Sequence, residues 1–195
     1  MVVEKREDVP LTKLFEAVLP YQASVYVTVL NIIQCIALAF LINEAREMII
    51  KGELSLAFAL RSAVAFVIIL VVWDRYVSEL QYLWIISWFD TLIPFLIGIF
   101  ECVIIFSTNH RTVSLNGFIL SIAFLQLWVV TAYVYTYRRR VMNITEKLYQ
   151  TVYFDYSQFA FHLTNFLKSY DKWQFKIFSI FLGVSFIFLL IIFLF

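Results

Sequence analysis

Long, nearly uninterrupted apolar runs dominate the pattern of hydrophobic and polar positions along the chain. Five runs have the length of a membrane span: Tyr21–Ile42, Leu56–Trp73, Leu83–Ser107, Asn116–Tyr137 and Phe175–Phe195. A helix needs about 20 such residues to cross a hydrocarbon core of roughly 30 Å, whereas a transmembrane β-strand needs only about 10 residues of alternating character. The pattern therefore predicts an all-α integral membrane protein, a polytopic bundle with about five transmembrane helices.

A different pattern occupies residues 138–174, between the fourth and fifth runs. Apolar side chains recur there at helical spacing, at Val141, Ile144, Leu148, Val152, Tyr156, Phe159, Leu163, Phe166 and Tyr170. This spacing collects them on one face of a helix, opposite a polar face. Because the segment contains no glycine or proline, we predict one long amphipathic helix.

The twenty residues ahead of the first run are charged, and apolar side chains recur every three to four residues from Leu11 to Leu19. This spacing indicates a short helix that lies on the membrane surface or caps the bundle. We therefore divide the chain into an interfacial segment (1–20), a four-helix transmembrane bundle (21–137), the amphipathic helix (138–174) and a last transmembrane helix (175–195).

Composition supports the membrane assignment. The 195 residues are 63% hydrophobic and only 15% charged, which is too apolar for a soluble domain of this length. A formal net charge of +1 gives no basis for nucleic-acid binding. Cys35 and Cys102 both lie within apolar runs, where cysteine behaves as a small apolar residue.

The distribution of lysine and arginine predicts the orientation of the spans. Eleven of the fifteen lie in segments that share one side if every run crosses the membrane, including Arg75 in the loop after the second run and Arg138–Arg140 directly after the fourth run. Positively charged short loops stay on the cytoplasmic side. We therefore expect a cytoplasmic N-terminus, a C-terminal Phe195 at the outer face, and the bacterial inner membrane as the location.

The third run carries two carboxyl groups, Asp90 and Glu101, which are costly in hydrocarbon and need partners, water or a proton. They are eleven residues apart, which places both on one helix face with Pro94 and Gly98, separated by about 16 Å along the axis. If the second and third runs are adjacent and antiparallel, Arg61 lies at the depth of Glu101. We therefore predict an intramembrane ion pair between Arg61 and Glu101.

No lysine or arginine of the sequence is expected at the membrane depth of Asp90. The neutral groups within reach are Asn31 and Gln34 in the first run and Gln126 in the fourth, so we predict an intramembrane polar layer formed by these four side chains. Both a structural role and a functional ion or proton site are open for these intramembrane groups.

The apolar face of the amphipathic helix must be covered by lipid headgroups, the bundle itself, a sister subunit or a soluble protein. Four aromatic residues widen it beyond what one membrane contact requires, and we predict that they dock a partner: Tyr149, Tyr153, Phe154 and Phe161. A short bundle hides few polar faces, and closed symmetry offers the others a partner, so we also expect a homo-oligomer.

Patterns typical of catalysis and transport are missing from the sequence. No HExxH zinc pattern occurs, and no span pairs a serine with a histidine, so we expect no enzyme, no cofactor and no metal. Matched glycine and proline interruptions of transporter type are not evident. We expect a non-catalytic membrane scaffold or sensor subunit that recruits a soluble cytoplasmic effector, for example in a stress or phage-defence system. The alternative is a small oligomeric ion channel whose pore is lined by the third helix.

Overall fold

The computed structural model describes residues 11–79, 88–134, 143, 145, 147 and 157–194. Within these residues the regular structure consists of five helices, α1 (Leu11–Ile50), α2 (Leu56–Glu79), α3 (Trp88–Phe106), α4 (Leu115–Ala132) and α5 (Ser157–Leu194). The same residues contain no strand. The all-α prediction is therefore confirmed for the described part of the chain.

Three of these helices contain a segment that is long and apolar enough to cross a membrane. The segments are Ser24–Ile50 in α1, Leu56–Val77 in α2 and Leu115–Ala132 in α4. At most a third of each segment is buried inside the bundle, so most of its apolar surface faces outward, as it does in a protein solvated by lipid. Spans in α3 and α5 stay predictions.

Two helices run across boundaries that the sequence pattern predicts. α1 is 40 residues long and continues through Pro20, from the predicted interfacial segment into the first span. α5 is 38 residues long and continues through position 174, from the predicted amphipathic helix into the last run. The only glycine in α5 is Gly183, so the backbone at that boundary has no residue that favours a break. Each helix is about twice as long as a bilayer core is thick.

α3 lies at the centre of the bundle and contacts α1, α2 and α4, while α5 packs on α4. α1 and α3 run in the same direction, because Ile33 approaches Gly98 and the ring of Phe40 meets that of Phe106, 5.7 Å between centroids. The face of α3 that carries Pro94, Gly98 and Glu101 is buried. The predicted stripe of small and polar residues on α3 is thus an internal packing surface.

The α1–α2 and α3–α4 connections meet at one end of the bundle. Arg111 forms an ion pair with Glu53, and Ser55 Oγ lies 3.3 Å from His110 Nδ1. Gly52, with a φ of 65°, ends α1 in the left-handed conformation that glycine adopts without strain. These contacts hold the two loops together, and with them the ends of four helices on that side of the bundle.

Adding one methyl group at Gly98 is expected to destabilise the bundle by about 1 to 3 kcal/mol. A Cβ atom there would lie 2.5 Å from Ile33 Cγ2, a buried methyl group, so α1 and α3 would have to separate. Gly183→Ala is the matched control, since a Cβ at Gly183 meets no atom within 4 Å and alanine favours helix. Thermal unfolding in detergent measures both variants, and equal stability of the two would contradict the close α1–α3 contact.

Candidate functional site

Glu101 is an almost fully buried carboxyl group, 1% exposed, and its partner comes from α1. Gln34 Nε2 donates to both carboxyl oxygens, at 3.1 Å to Oε2 and 3.4 Å to Oε1. Gln34 itself is 4% exposed, so the pair lies inside the bundle between parallel helices. These hydrogen bonds link α1 to α3 inside the bundle.

Arg61 is also buried, but the structure does not bring it to Glu101 as an ion pair. Its Nη1 donates to the carbonyl oxygens of Val113 at 2.8 Å and Ser107 at 3.2 Å. The guanidinium lies 5.4 Å from the centroid of the Phe118 ring. The prediction of an Arg61–Glu101 ion pair is therefore wrong. The long arginine side chain instead extends to the end of α3, where backbone carbonyls lack helical donors.

The predicted polar layer separates into different environments. Gln34 is engaged by Glu101, and Asn31 lies on the exposed side of α1, where its Oδ1 accepts a hydrogen bond from Trp73 Nε1 at 3.2 Å. Asp90 is 3% exposed at the start of α3. Gln126 is partly buried, and its Oε1 accepts no hydrogen bond from the described part of the chain. Asp90 and Gln126 do share one feature, since both line the same cavity.

A second polar cluster forms where α2 and α4 end. The Arg75 guanidinium lies 4.9 Å from the centroid of the Tyr133 ring, and Arg75 is only 7% exposed. Tyr133 donates its hydroxyl to the side chain of Asp171, and to the backbone oxygen of Asp171 at 2.9 Å. The ring of Phe175 stacks on Tyr133, 6.0 Å between centroids. This cluster ties α5 to the rest of the bundle.

Sequence reasoning missed this cluster because it treated Arg75 as a loop cation. Arg75 follows the apolar run Leu56–Trp73 by only two residues, which was the one available signal. The aliphatic part of an arginine at such a position packs along apolar surface while the charged group finds a partner near the helix end. Asp171 and Tyr133 are 38 residues apart, too far for any local pattern to pair them.

Removing the Tyr133 hydroxyl in Tyr133→Phe is expected to weaken the attachment of α5 by about 1 kcal/mol, because a buried acceptor loses its donor. Asp171→Asn keeps an acceptor oxygen opposite the phenol, so a smaller loss is expected. The measurement is unfolding in detergent combined with the rate of proteolytic cleavage ahead of α5. A larger effect of Asp171→Asn than of Tyr133→Phe would contradict this arrangement.

A cavity of about 500 Å³ lies between α2, α3, α4 and α5. Its walls are mainly aliphatic, from positions such as Val67, Ile93 and Ile122. The side chains with polar groups that line it are Tyr26 of α1 together with Arg75, Tyr76, Asp90, Gln126 and Tyr133. α2 and α4 each contact α3 and make little contact with each other, which leaves this space between them. The size falls within the usual range of small-molecule sites, ~300 to 1,000 Å³.

The predicted docking residues fall only partly within the described residues. Phe161 is 64% exposed near the start of α5, beside the ring of His162. Tyr149, Tyr153 and Phe154 lie outside the described residues. Other aromatic groups on the same part of α5 are exposed as well, with Phe166 at 57% and Trp173 at 58%.

The described ranges contain no cluster of side chains through which metal or cofactor chemistry could act. No group of three or more His, Cys, Asp or Glu side chains with metal-binding geometry occurs in residues 11–79, 88–134 and 157–194. Both cysteines are free thiols. The class that these observations define, for the described residues, is an all-helical protein in which three helices are long and apolar enough to span a membrane and in which polar groups are buried between helices.

Comparison with protein-family models, with curated proteins and with solved structures finds no match to this chain.

Proposed function

We propose that the protein is a non-catalytic membrane scaffold or sensor subunit that recruits a soluble cytoplasmic effector. The observation that supports this over an ion channel is the pairing of Glu101 with Gln34 inside a single chain. A carboxylate ring that selects ions must face a hydrated pore, whereas Glu101 is 1% exposed and bonded to a neighbouring helix. The third helix thus uses its carboxyl group for packing.

The surface proposed for the effector is the first half of α5, which precedes the most apolar part of that helix. Phe161, Phe166 and Trp173 form an exposed aromatic surface there, and Lys172 and Lys176 are exposed beside it. Aromatic groups supply the apolar contact area of protein interfaces, and basic groups select an acidic partner. The surface of the effector that contacts α5 is accordingly acidic and carries apolar residues.

The membrane arrangement belongs to the same proposal. In this proposal α3 and α5 span the membrane together with the three apolar helices, which makes five spans. The N-terminus and the first half of α5 then lie in the cytoplasm, and the C-terminus lies outside. The proposed location is the bacterial inner membrane. Assembly as a homo-oligomer gives the remaining outward faces of the helices a partner.

The test is a pull-down in mild detergent from native cells, paired with ion flux from purified protein in liposomes. One variant carries alanine at the predicted docking residues Tyr149, Tyr153, Phe154 and Phe161. A second variant carries alanine at the exposed residues Phe161, Phe166 and Trp173 of α5. The matched control carries alanine at Phe66 and Leu70, which are exposed apolar residues of the α2 span.

We expect wild type and control to retain a stoichiometric soluble partner, both variants of the docking residues to lose it, and all four proteins to give no flux. The captured partner is then purified and added back to detergent-solubilised wild type, which must rebuild the complex. Flux that disappears in Glu101→Gln, with no partner captured, would overturn the scaffold in favour of the channel.

A further inference from the structure

One face of α1 points away from the bundle and carries several small and polar side chains. Within the span Ser24–Ile50, positions that alternate four and three residues apart form one line along the helix, the α1 seam: Ser24, Thr28, Asn31, Cys35, Leu38 and Ile42. All of them except Leu38 are exposed. In a membrane the α1 seam therefore meets either hydrocarbon or another helix.

Asn31 is the central polar group of the α1 seam, and the single chain leaves its hydrogen bonds incomplete. The Thr28 hydroxyl, by contrast, donates to the carbonyl oxygen of Ser24 in its own helix, at 2.9 Å. Asn31 accepts at Oδ1 from Trp73 Nε1, whereas its Nδ2 donates to no group in the described part of the chain. Asn31 lies well inside the apolar run Tyr21–Ile42, where an amide without partners is costly.

Trp73 fixes the direction in which this amide points. An indole N–H can only donate, so the amide atom opposite Trp73 Nε1 is the oxygen, and the Nδ2 group occupies the other corner. Trp73 is 46% exposed and borders the α1 seam from α2. A carbonyl oxygen accepts two hydrogen bonds, so the exposed Asn31 amide offers one further acceptor position together with the Nδ2 donors.

We propose that the α1 seam is the interface through which two copies of this chain associate as a parallel dimer. All copies insert into the membrane with the same orientation, so a two-fold axis along the membrane normal brings each seam residue opposite its own copy. The two Asn31 amides then meet, and Nδ2 of each donates to Oδ1 of the other. A carboxamide is both donor and acceptor and is therefore its own complement, which a lipid chain cannot be.

The spacing and size of the seam residues fit this geometry. Alternating steps of four and three residues are the repeat that keeps two helices in contact over several turns. Ser24, Thr28 and Cys35 have small side chains, which allow the two backbones to approach until the amides reach each other. A single asparagine in such a repeat fixes the register, because any shift leaves both amides in hydrocarbon. This interface rests on the homo-oligomeric assembly of the proposed function, to which it adds the face, the direction and the register.

The first test measures association of the full-length chain in phosphatidylcholine vesicles, by energy transfer between dyes attached at the N-terminus over a series of protein-to-lipid ratios. We expect wild type to dimerise and Asn31→Leu to have a dissociation constant about tenfold higher. Asn31→Gln keeps the amide and is expected to restore most of the association. Trp73→Phe removes the orienting donor, so a loss of about threefold is expected. Asn31 is exposed in the single chain, so unfolding in dilute detergent separates loss of association from loss of fold.

The second test locates the interface through Cys35, the seam position one turn from Asn31. Cys35 is an exposed thiol, and its copy lies directly opposite in the proposed dimer. In a Cys102→Ala background, oxidation with copper phenanthroline in the same vesicles is expected to join two chains through a Cys35 disulfide. The matched control combines Cys35→Ala with Ile36→Cys in that background. Ile36 is 48% exposed but lies off the α1 seam, so the control is expected to stay unlinked.

Three outcomes would overturn the proposal. A chain that stays monomeric at every protein-to-lipid ratio has lipid on the α1 seam, and this result removes the homo-oligomer from the proposed function as well. A dimer that is linked as readily at position 36 as at position 35 uses another face, and so does a dimer that Asn31→Leu leaves unchanged. In those two cases the homo-oligomer stands and this interface fails. Effector recruitment is measured separately, by the pull-down.

Discussion

Gln34→Leu is expected to destabilise the bundle by about 2 to 3 kcal/mol, the largest effect of any single apolar replacement on α1. The substitution keeps the size of the side chain but removes the amide that donates to both oxygens of Glu101. The carboxyl group then stays buried without that donor, and a buried polar group that loses its partner costs more than the hydrogen bond itself contributes. Reversible unfolding in mixed detergent micelles measures the loss.

The control for this prediction lies one turn away on the same helix. Asn31 is exposed and shares a hydrogen bond with Trp73, so Asn31→Leu is expected to cost less than about 0.5 kcal/mol. The double variant Gln34→Leu with Glu101→Leu is expected to recover most of the stability, since removing both partners leaves no buried polar group. A loss in Gln34→Leu that is no greater than that in Asn31→Leu would contradict the pairing.

The second large effect is expected for Arg61→Leu, at about 3 kcal/mol. Arg61 bonds two carbonyl oxygens on either side of the α3–α4 connection, those of Ser107 and Val113, and its guanidinium also lies against the Phe118 ring. Hydrogen bonds from a charged donor contribute about 1.5 to 3 kcal/mol, and a desolvated cation–π contact adds to them. Arg61→Lys keeps the charge and loses the planar donor, so an intermediate loss is expected.

A charge-swap experiment distinguishes this arrangement from an ion pair. If Arg61 paired with Glu101, the double variant Arg61→Glu with Glu101→Arg would regain the stability lost in each single variant. The structure leads to the opposite expectation, because Arg61 acts on backbone carbonyls and Glu101 on the Gln34 amide. The measurement is the stability of the two single variants and the double variant to unfolding in detergent. Recovery of stability in the double variant would support the ion pair instead.

The fold was largely predictable, because apolar runs long enough to span a membrane leave few alternatives to a helical bundle. The pattern located α2 and α4 well, whereas it divided α1 and α5 into two parts each. Changes in polarity at positions 20 and 174 suggested boundaries there. Hydropathy reports the surroundings of a helix, however, and a helix backbone continues through such a change when its hydrogen bonds are intact.

The buried polar contacts were predictable in kind but not in pairing. Asp90, Glu101, Gln34 and Arg61 all proved buried, as the cost of polar groups in hydrocarbon implies. Counting residues gives the depth of each group, but the partner also depends on the rotation of each helix about its axis. Gln34 faces α3 at the level of Glu101, a direction that only the packing of Ile33 on Gly98 determines.

α5 is one unbroken helix, so it would move as a rigid rod. At 38 residues it measures about 57 Å, and if α5 spans the membrane as proposed, a bilayer core covers roughly 30 Å of this length. A change in tilt of about 10° within the membrane would therefore displace the far end of the helix by about 5 Å. Tyr133 lies close to the point about which the helix would tilt. Its hydroxyl donates a hydrogen bond to Asp171, and its ring lies against the Arg75 guanidinium. In that arrangement, a change in packing around the Tyr133 phenol would move the part of α5 that carries Phe161.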